Sequence, residues 1–411
     1  MKQLTVLALI AFSVLACVDK EQEEKNEFIQ ENVTYAAAQT EKMLASVGEP
    51  TGKNYPRTMK DDGSLRTTNM YDWTPGFFPG SLWYLYELTG DDKWKADAEK
   101  WTASLEPLKT FTGHHDLGFM MYCSYGNAER LAPKPEYKDI LIESAGSLST
   151  RFSGKTQVIK SWNDFRPMND DSTVYDYPVI IDNMMNLEML FYASKISGDK
   201  RYYDIAVKHA DMTIKNHFRD DFSTYHVISY DTISSNVVSK NTAQGFSDNS
   251  TWSRGQAWAI YGYTMTYRET NDKKYLDVAT KAADYFIRNL PEDYVPLWDF
   301  NLGQEGYVPG KRSYAAEFKE RLKDASAAAI TCSALFELGQ LTDNKFYIET
   351  AVKMLHSLAS PEYRAPLGEN ADFLILHCVG SIPHRTEIDK PLVYADYYFL
   401  EALVRYKNLK K

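Results

Sequence analysis

The sequence has few of the features that mark disulfide-rich, membrane-spanning or nucleic-acid-binding proteins. It contains four cysteines in 411 residues, and three of them, Cys123, Cys332 and Cys378, are too widely spaced to form a zinc box or a readable disulfide framework. Beyond Leu15 there is no run long and apolar enough to cross a membrane. Acidic residues outnumber lysine and arginine by 56 to 46, giving a net charge of −10. Because such a chain gains little from counterion release, we predict no nucleic-acid partner.

The N-terminus has the features of an export signal. An apolar run from Leu4 to Leu15 is too short to span a bilayer, and it ends at Val14-Leu15-Ala16-Cys17, which resembles the cleavage box of bacterial lipoproteins. We therefore predict that residues 1–17 are a lipoprotein signal peptide ending at a lipidated Cys17, and that residues 18–27 are an acidic tether. The protein would then be periplasmic or on the cell surface, attached to a membrane only through this lipid. A plain signal peptide with an incidental cysteine is the alternative.

A short recurring pattern predicts a helical repeat. Four copies combine an aspartate, a basic residue and an aromatic residue, and each lies between two amphipathic runs. This order indicates helix, tight turn, helix, with the aspartate capping the second helix and the aromatic anchoring its first turn. The copies are Asp91-Asp92-Lys93-Trp94, Asp199-Lys200-Arg201-Tyr202, Asp272-Lys273-Lys274-Tyr275 and Asp343-Asn344-Lys345-Phe346. About twelve helical runs follow, near residues 28–46, 76–89, 92–106, 117–132, 137–152, 182–197, 200–218, 254–270, 273–290, 323–340, 344–358 and 393–407.

Six helical hairpins fit either an open solenoid or a closed ring. The segments 160–179, 222–251 and 294–321 are long and aromatic-rich, and they lie between hairpins. A regular solenoid does not need such loops, whereas loops at one end of a ring would build a cleft. We therefore predict an all-α fold in which residues 28–411 form one (α/α)6 barrel, with some β-structure in Tyr225–Asp231. The cleft would lie at the end that carries the N-termini of the inner helices.

The residues best suited to chemistry lie where the first helix of a hairpin begins. They are Trp73, His115-Asp116, Asp182-Asn183 and Trp252-Ser253-Arg254. In a ring of hairpins these helix starts face the same end, where positive helix-dipole ends favour an anionic ligand. His226 and Gln244 lie in the long loop before one of these helices and could reach the same mouth, although each alone reads as an ordinary loop residue.

Asp116 and Asp182 form the candidate catalytic pair. Asp116 lies in a polar, glycine-containing stretch before an apolar helix, and Asp182 follows the apolar run Val179-Ile180-Ile181. A poorly solvated carboxyl group near a second carboxylate holds its proton more tightly, as a general acid must at neutral pH. Most glycosidases use two carboxyl groups that flank the bond to be cleaved, and two carboxylates in one aromatic cleft fit this chemistry. The alternative is that each aspartate only caps a helix.

Arg254 could hold a substrate carboxylate bidentately while Trp252 and Trp258 stack on sugar rings. A surface arginine beside core tryptophans is the alternative. His114, His115 and Asp116 could instead bind a metal ion, but adjacent histidines at a helix start point apart, and we predict neither metal nor cofactor.

Four segments resemble the unsaturated glucuronyl hydrolases, glycoside hydrolase family 88. They are HDLGF around Asp116, IIDNMMNLEML around Asp182, STWSRGQAWAIYGY around Arg254 and VYADYYFLEALVRY near Asp396. In order, they span about residues 30 to 410. The resemblance implies an (α/α)6 barrel without metal or cofactor, acting on an oligosaccharide whose terminal uronate carries the 4,5 double bond left by a polysaccharide lyase.

The resemblance also implies roles for individual residues. Asp182 would be the general acid that protonates C4 and then takes a proton from the attacking water, and Asp116 would be its partner. Trp73, His115, His226, Gln244, Trp252, Arg254 and Trp258 would line the uronate subsite. A family loop that contacts the next sugar corresponds to residues 377–386 here. Two alternatives stay open: an unsaturated rhamnogalacturonyl hydrolase acting on pectin fragments, and a non-catalytic glycan-binding lipoprotein. The oligomeric state is not predicted.

Overall fold

The computed structural model describes the backbone of residues 2–170 and 172–409, and the side chains of these residues except 2–19 and 21. The side chain of Cys17 lies outside the described residues, so its lipidation stays a prediction. Within the described part, no helix combines the length and apolar character that crossing a bilayer requires.

Helices dominate the described residues. Twelve α-helices lie in this part of the chain. In addition, a π-helix, Gly118–Gly126, and a 3-10 helix, Ile181–Asn186, each run directly into an α-helix. The α-helices are α1 Lys2–Val47, α2 Phe77–Thr89, α3 Asp92–Ala103, α4 Asn127–Leu131, α5 Pro135–Ser149, α6 Leu187–Ser197, α7 Lys200–His217, α8 Ser253–Thr270, α9 Lys273–Arg288, α10 Ala325–Thr342, α11 Lys345–Leu358 and α12 Val393–Lys407. The first predicted helix, near residues 28–46, therefore begins earlier than predicted, and the predicted tether, residues 18–27, is part of α1. Within this segment Lys20 and Glu24 pair across one helical turn.

The helices form two concentric rings, which confirms the predicted (α/α)6 barrel. The inner ring consists of α2, the π-helix with α4, the 3-10 helix with α6, α8, α10 and α12. Each of these contacts the next, and α12 closes the ring by packing on α2. The inner helices are buried around much of their circumference, as in α10, whose residues from Ala325 to Phe336 are all buried. A helix that is apolar on most sides is stable only inside such a ring.

The outer helices begin as the repeat predicts, with one correction. The side chains of Asp91, Asp199 and Asp272 accept hydrogen bonds from backbone N–H groups in the first turns of α3, α7 and α9. In the fourth copy the predicted register is wrong by one residue. Asn344, not Asp343, caps α11, and Tyr347 rather than the exposed Phe346 is the buried aromatic. The reason is that Asp343 has a left-handed backbone that ends α10.

Four small antiparallel sheets add to the helices. The predicted strand within Tyr225–Asp231 is confirmed, and it is the middle strand of a three-stranded sheet ordered β5-β6-β7. The other sheets were not predicted, because their strands are only two to five residues long and lack a readable alternation. The strands are β1 Tyr55–Met59, β2 Leu65–Thr68, β3 Phe152–Ser153, β4 Val158–Ile159, β5 Pro178–Ile180, β6 Val227–Tyr230, β7 Val237–Asn241, β8 Cys378–Ser381 and β9 Thr386–Lys390.

Candidate active site

Asp116 lies just before the π-helix and is surrounded by two histidines. Its Oδ2 is 3.0 Å from His114 Nδ1, and its Oδ1 is 3.3 Å from His115 Nε2. Burial alone would raise the pKa of Asp116, but its contacts with His115 and His114 outweigh burial and lower that pKa. Burial lowers the pKa of the enclosed His115. Asp116 is therefore ionised at neutral pH.

Asp182 lies at the start of the 3-10 helix, directly after the buried strand β5. Only 8% of the residue is exposed, so the poor solvation predicted from the apolar run before it is present. Its Oδ2 lies 3.5 Å from Nε2 of His226, which is also buried. The backbone fixes this approach, because the N–H of Ile181 donates to the carbonyl oxygen of His226 at 3.0 Å.

The two aspartates belong to one site because the second and third inner helices pack side by side. His115 lies between them, close enough that both Asp116 and Asp182 act to raise its pKa against the effect of burial. The charge of Asp182 also reaches Arg254 and acts to raise the pKa of its guanidinium. The structure thus brings together residues from three separate inner helices.

Arg254 is buried rather than on the surface, so the surface-arginine alternative is wrong. Its residue exposure is 1%, and its guanidinium lies over the rings of Trp252, at 4.4 Å, and Tyr394, at 5.3 Å. Nη1 donates to Asp324 Oδ2 at 2.8 Å and also to the Val379 carbonyl, while Nη2 donates to the Gly380 carbonyl at 2.7 Å. Both terminal nitrogens therefore hold strand β8 beside the site. Bidentate binding of a substrate carboxylate by Arg254 would require these contacts to change.

The other predicted residues lie at the same end of the barrel, at different depths. His226 packs against Trp252 with ring centres 4.6 Å apart, and the Gln244 side chain donates to the Gly380 carbonyl at 3.2 Å. Trp73 is half-buried and packs on Tyr394. Trp258 is fully buried and contacts Phe119 and Tyr398, so none of its ring is exposed for the predicted stacking on a sugar.

Sequence reasoning missed several residues that complete the site. Trp162 approaches His226 edge to face at 5.8 Å, and Asp324 and Tyr394 hold Arg254. Each lay in a segment that the sequence analysis used: Trp162 in the aromatic-rich segment 160–179, Asp324 at the start of the predicted helix 323–340, and Tyr394 in the VYADYYFLEALVRY segment. Asn183 and Asn186, in the 3-10 helix, connect the two aspartate-bearing helices.

A groove of about 630 Å³ leads outward from these residues. Its lining includes Trp162, Arg166, Gln244, Arg312, Ser381 and His384. The predicted substrate loop 377–386 contributes only in part, because His384 lies in the groove whereas His377 pairs with Asp389 at 2.7 Å. Among the described residues there is no cluster of three or more histidine, cysteine or acidic side chains that could hold a metal ion.

The family described as Glycosyl Hydrolase Family 88 matches residues 48–407. The chain belongs to this family. It is 46% identical to the unsaturated glucuronyl hydrolase of Formosa agariphila over 418 aligned residues, which cover 100% of this chain and 99% of that relative. The resemblance drawn from four short segments is therefore confirmed, and the chain is a glycoside hydrolase.

Two solved structures extend this comparison. An unsaturated glucuronyl hydrolase specific for heparin superposes with a TM-score of 0.83 at 42% identity, covering 93% of this chain and 97% of that one. An unsaturated glucuronyl hydrolase variant from Streptococcus agalactiae, complexed with dGlcA-GalNAc6S, superposes with a TM-score of 0.74 at 28% identity, covering 93% and 92%.

Proposed function

We propose that this protein removes the terminal 4,5-unsaturated uronic acid from oligosaccharides produced by polysaccharide lyases, with Asp182 and Asp116 as its catalytic pair. One observation carries the assignment of the site. Five polar atoms of the predicted residues are buried without a hydrogen-bond partner among the described residues: His115 Nε2, Asp182 Oδ2, His226 Nε2, Trp252 Nε1 and Trp258 Nε1. Unpartnered buried polar atoms are costly, and a hydroxyl-rich ligand beside Asp182, which is 8% exposed, would offer hydrogen bonds to those of these atoms that it reaches.

Asp182 performs the proton transfers in this proposal. Its carboxyl proton goes to C4 of the vinyl ether, which leaves a positive charge shared between C5 and the ring oxygen. The resulting carboxylate takes a proton from water as the water oxygen bonds to C5. The hemiketal that forms then opens. A C5 carbonyl forms as the bond from C5 to the ring oxygen breaks and that oxygen takes up the proton of the C5 hydroxyl. This leaves a hemiacetal at C1, which collapses to an aldehyde while the neighbouring sugar leaves with the hydroxyl proton.

Asp116 and the histidines support this step without exchanging the proton themselves. Asp116, kept ionised by His114 and His115, places a negative charge where positive charge develops at C5. His226 faces Asp182 Oδ2 and holds the orientation of its carboxyl group. Because the glycosidic carbon is not attacked, carboxylate spacing does not decide between inversion and retention here.

The groove beyond the site favours an anionic group on the sugar next to the uronate. Arg166 and Arg312 contribute positive charges to its lining, and Asp164 is the acidic residue there. Heparin-type and sulfated chondroitin-type disaccharides carry such groups. The solved relatives named for heparin and for dGlcA-GalNAc6S support the same substrate class. A glycosaminoglycan-type substrate is therefore preferred over pectin fragments.

We further propose export and attachment to a membrane through a lipid on Cys17, from the motif alone. Mass spectrometry of the mature N-terminus and a Cys17→Ser variant that leaves the membrane fraction would support this. A mature chain that starts elsewhere would contradict it.

A panel of lyase-generated unsaturated disaccharides tests the enzymatic proposal. Loss of the ultraviolet absorbance of the conjugated double bond reports hydration directly. We expect turnover of sulfated glycosaminoglycan disaccharides at rates above those for pectin-derived disaccharides. Faster turnover of the pectin set would favour the rhamnogalacturonyl alternative, and binding without absorbance loss on any substrate would favour a glycan-binding lipoprotein.

A further inference from the structure

Two buried asparagines connect the helices that carry Asp116 and Asp182. Asn186 Oδ1 accepts a hydrogen bond from the Phe119 backbone N–H at 3.2 Å, and its Nδ2 lies 3.4 Å from His115 Nδ1. The same Nδ2 is 3.5 Å from Asn183 Oδ1, and Asn183 Nδ2 donates to the Ile159 carbonyl at 2.8 Å. These amides form a continuous chain from strand β4 to His115.

Backbone groups at both ends fix which way the two amides point. The Phe119 N–H can only donate, so it must meet the oxygen of Asn186, which leaves the Asn186 NH2 group facing His115. The Ile159 carbonyl can only accept, so it must meet the NH2 group of Asn183. The orientation of each amide therefore follows from its backbone partner and does not depend on an arbitrary choice between oxygen and nitrogen.

We infer that Asn186 is a positioning residue that holds His115 in the tautomer protonated at Nε2. Nδ1 faces an NH2 donor, so it must accept, and the proton of the neutral ring lies on Nε2. Nε2 is the buried nitrogen that lies 3.3 Å from Asp116 Oδ1 and has no hydrogen-bond partner among the described residues. The chain of amides thereby makes His115 a donor toward Asp116 and toward a substrate hydroxyl. The opposite tautomer would set a lone pair against the Asp116 carboxylate.

Gly118 allows the close approach that brings Asn186 to His115. A Cβ atom at Gly118 would lie 2.4 Å from Asn186 Cα and 2.6 Å from Asn186 Oδ1. Only glycine therefore lets the π-helix approach Asn186 closely enough for the amide to reach both Phe119 and His115. This close approach explains why the glycine of the HDLGF segment stands two residues after Asp116.

The first test reads the tautomer directly in the wild-type protein and does not depend on the proposed function. In protein labelled with ¹⁵N-histidine, we expect a neutral His115 signal with the proton on Nε2, assigned by its loss in His115→Gln. Protonation at Nδ1 would overturn the inference. The titratable groups that act on His115 are Asp116, Asp182, His114 and His209, so the spectrum is recorded from pH 5 to 8 to separate the tautomer from charging of the ring.

The second test uses activity and therefore rests on the proposed function. Asn186→Asp removes the donor, and we expect kcat/KM to fall on the order of 100-fold, less than the ~10⁴-fold loss caused when a catalytic histidine is held in the wrong tautomer. Its matched control is Asn127→Asp, a buried asparagine of the second inner helix that bonds Cys123 and Tyr397 instead, expected within threefold of wild type. If Asn186 acts through His115, replacing the histidine also removes the effect of Asn186, so the losses of Asn186→Asp and His115→Gln should not add in the double variant. Additive losses, or Asn186→Asp activity within threefold of wild type, would overturn the inference. If Asn186→Asp does not fold, the wild-type spectrum still decides.

Discussion

His226 Nε2 lies 3.5 Å from Asp182 Oδ2, and on its other side Nδ1 of His226 is approached by the backbone N–H of Gln244 at 3.4 Å. The backbone donor requires Nδ1 to be the acceptor, so the N–H of the His226 ring is on Nε2, the nitrogen that faces Asp182. Asp182 can thus be held in one orientation while one of its oxygens exchanges a proton with the substrate. In the proposed mechanism, Asp182 is the side chain that both gives and takes that proton.

The first prediction concerns this proton transfer. Asp182→Asn keeps the shape of the side chain but cannot deliver a proton, so kcat should fall by about 10³-fold or more while substrate affinity stays within a few-fold of wild type. Initial rates from the absorbance loss and calorimetric binding of an unsaturated disaccharide measure the two quantities. Asp176→Asn, an exposed carboxylate six residues earlier in the chain, serves as control and should behave as wild type. Turnover near the wild-type rate in Asp182→Asn would remove the assignment of the acid.

The second prediction concerns stability toward acid. His217 is fully buried, its Nε2 bonds the Val179 carbonyl at 3.2 Å, and burial lowers its pKa to about 3. Since an unfolded histidine titrates near 6.5, this group contributes stability that is complete above pH 6.5 and is lost as pH falls from 6.5 toward 3. The loss approaches about 1.4 kcal/mol per pH unit within that window.

Urea unfolding of wild type and His217→Gln at pH 7 and pH 5 measures this effect. The glutamine can keep a donor toward Val179 but has no group to protonate, so its stability should fall less between the two pH values. His377→Gln removes a half-exposed histidine whose pKa is raised by Asp389, and it should not reduce the acid-induced loss. An identical fall in wild type and His217→Gln would show that His217 is not responsible.

The third prediction concerns the far end of the barrel, where the inner helices end. Arg268 in α8 pairs with Glu337 of α10 at 2.8 Å, with Glu269 at 2.9 Å and with Glu188 of α6. Removing the arginine takes away the positive charge that Glu188 and Glu269 pair with, whereas Glu337 keeps its pair with Arg405 at 2.9 Å. Since 31% of the Arg268 side chain is exposed, we expect Arg268→Met to lower the free energy of unfolding by about 2–3 kcal/mol, below the ~3–5 kcal/mol of a fully buried pair.

Arg130→Met is the comparison for that experiment. Arg130 forms a similar two-pronged pair with Glu87, but its side chain is 46% exposed, and such pairs contribute about 0–1 kcal/mol. Chemical denaturation of both variants gives the difference. Equal destabilisation by the two substitutions would show that burial of the network does not set its contribution.

Much of the barrel could be predicted from the sequence because its signals are local. Helix periodicity, aspartate caps and buried aromatics recur in each hairpin, and Asp91, Asp199 and Asp272 act as predicted. The register error at Asp343 arose because two polar residues and two aromatics are adjacent there, so that the spacing fits two caps equally well. In the third copy of the repeat, the buried aromatic residue also makes a hydrogen bond to a neighbouring helix. The hydroxyl of Tyr275 in α9 bonds Asp211 in the preceding outer helix at 2.8 Å.

The sequence predicts which helix starts carry the site residues, but it does not predict which side chains these residues contact. That Arg254 is held by Asp324, and that Asn186 reaches His115, depends on packing between residues about 70 positions apart. No local pattern encodes such proximity. The same limit applies to Arg254. The sequence predicts a guanidinium available to bind a substrate carboxylate, whereas in the structure the guanidinium holds strand β8.

The last prediction concerns selectivity in the outer groove. Arg312 and His384 both line this groove, and burial lowers the pKa of His384, with His226 and Arg312 acting in the same direction. If the groove receives the sugar next to the uronate, Arg312→Ala should raise KM for a sulfated unsaturated disaccharide by about three- to fivefold, the effect of losing roughly 0.6–1 kcal/mol of attraction at an exposed charge, and change KM for its unsulfated form less than twofold. Lys311→Ala removes the adjacent exposed charge outside the groove and controls for the general field of the protein.

Because salt screens a charge in an open groove, the sulfated-to-unsulfated preference of wild type should shrink as ionic strength rises, and that of Arg312→Ala should change little. Equal losses on both substrates would mean that Arg312 supports the loop through its bonds to the Arg166 and Pro167 carbonyls rather than recognising the anion.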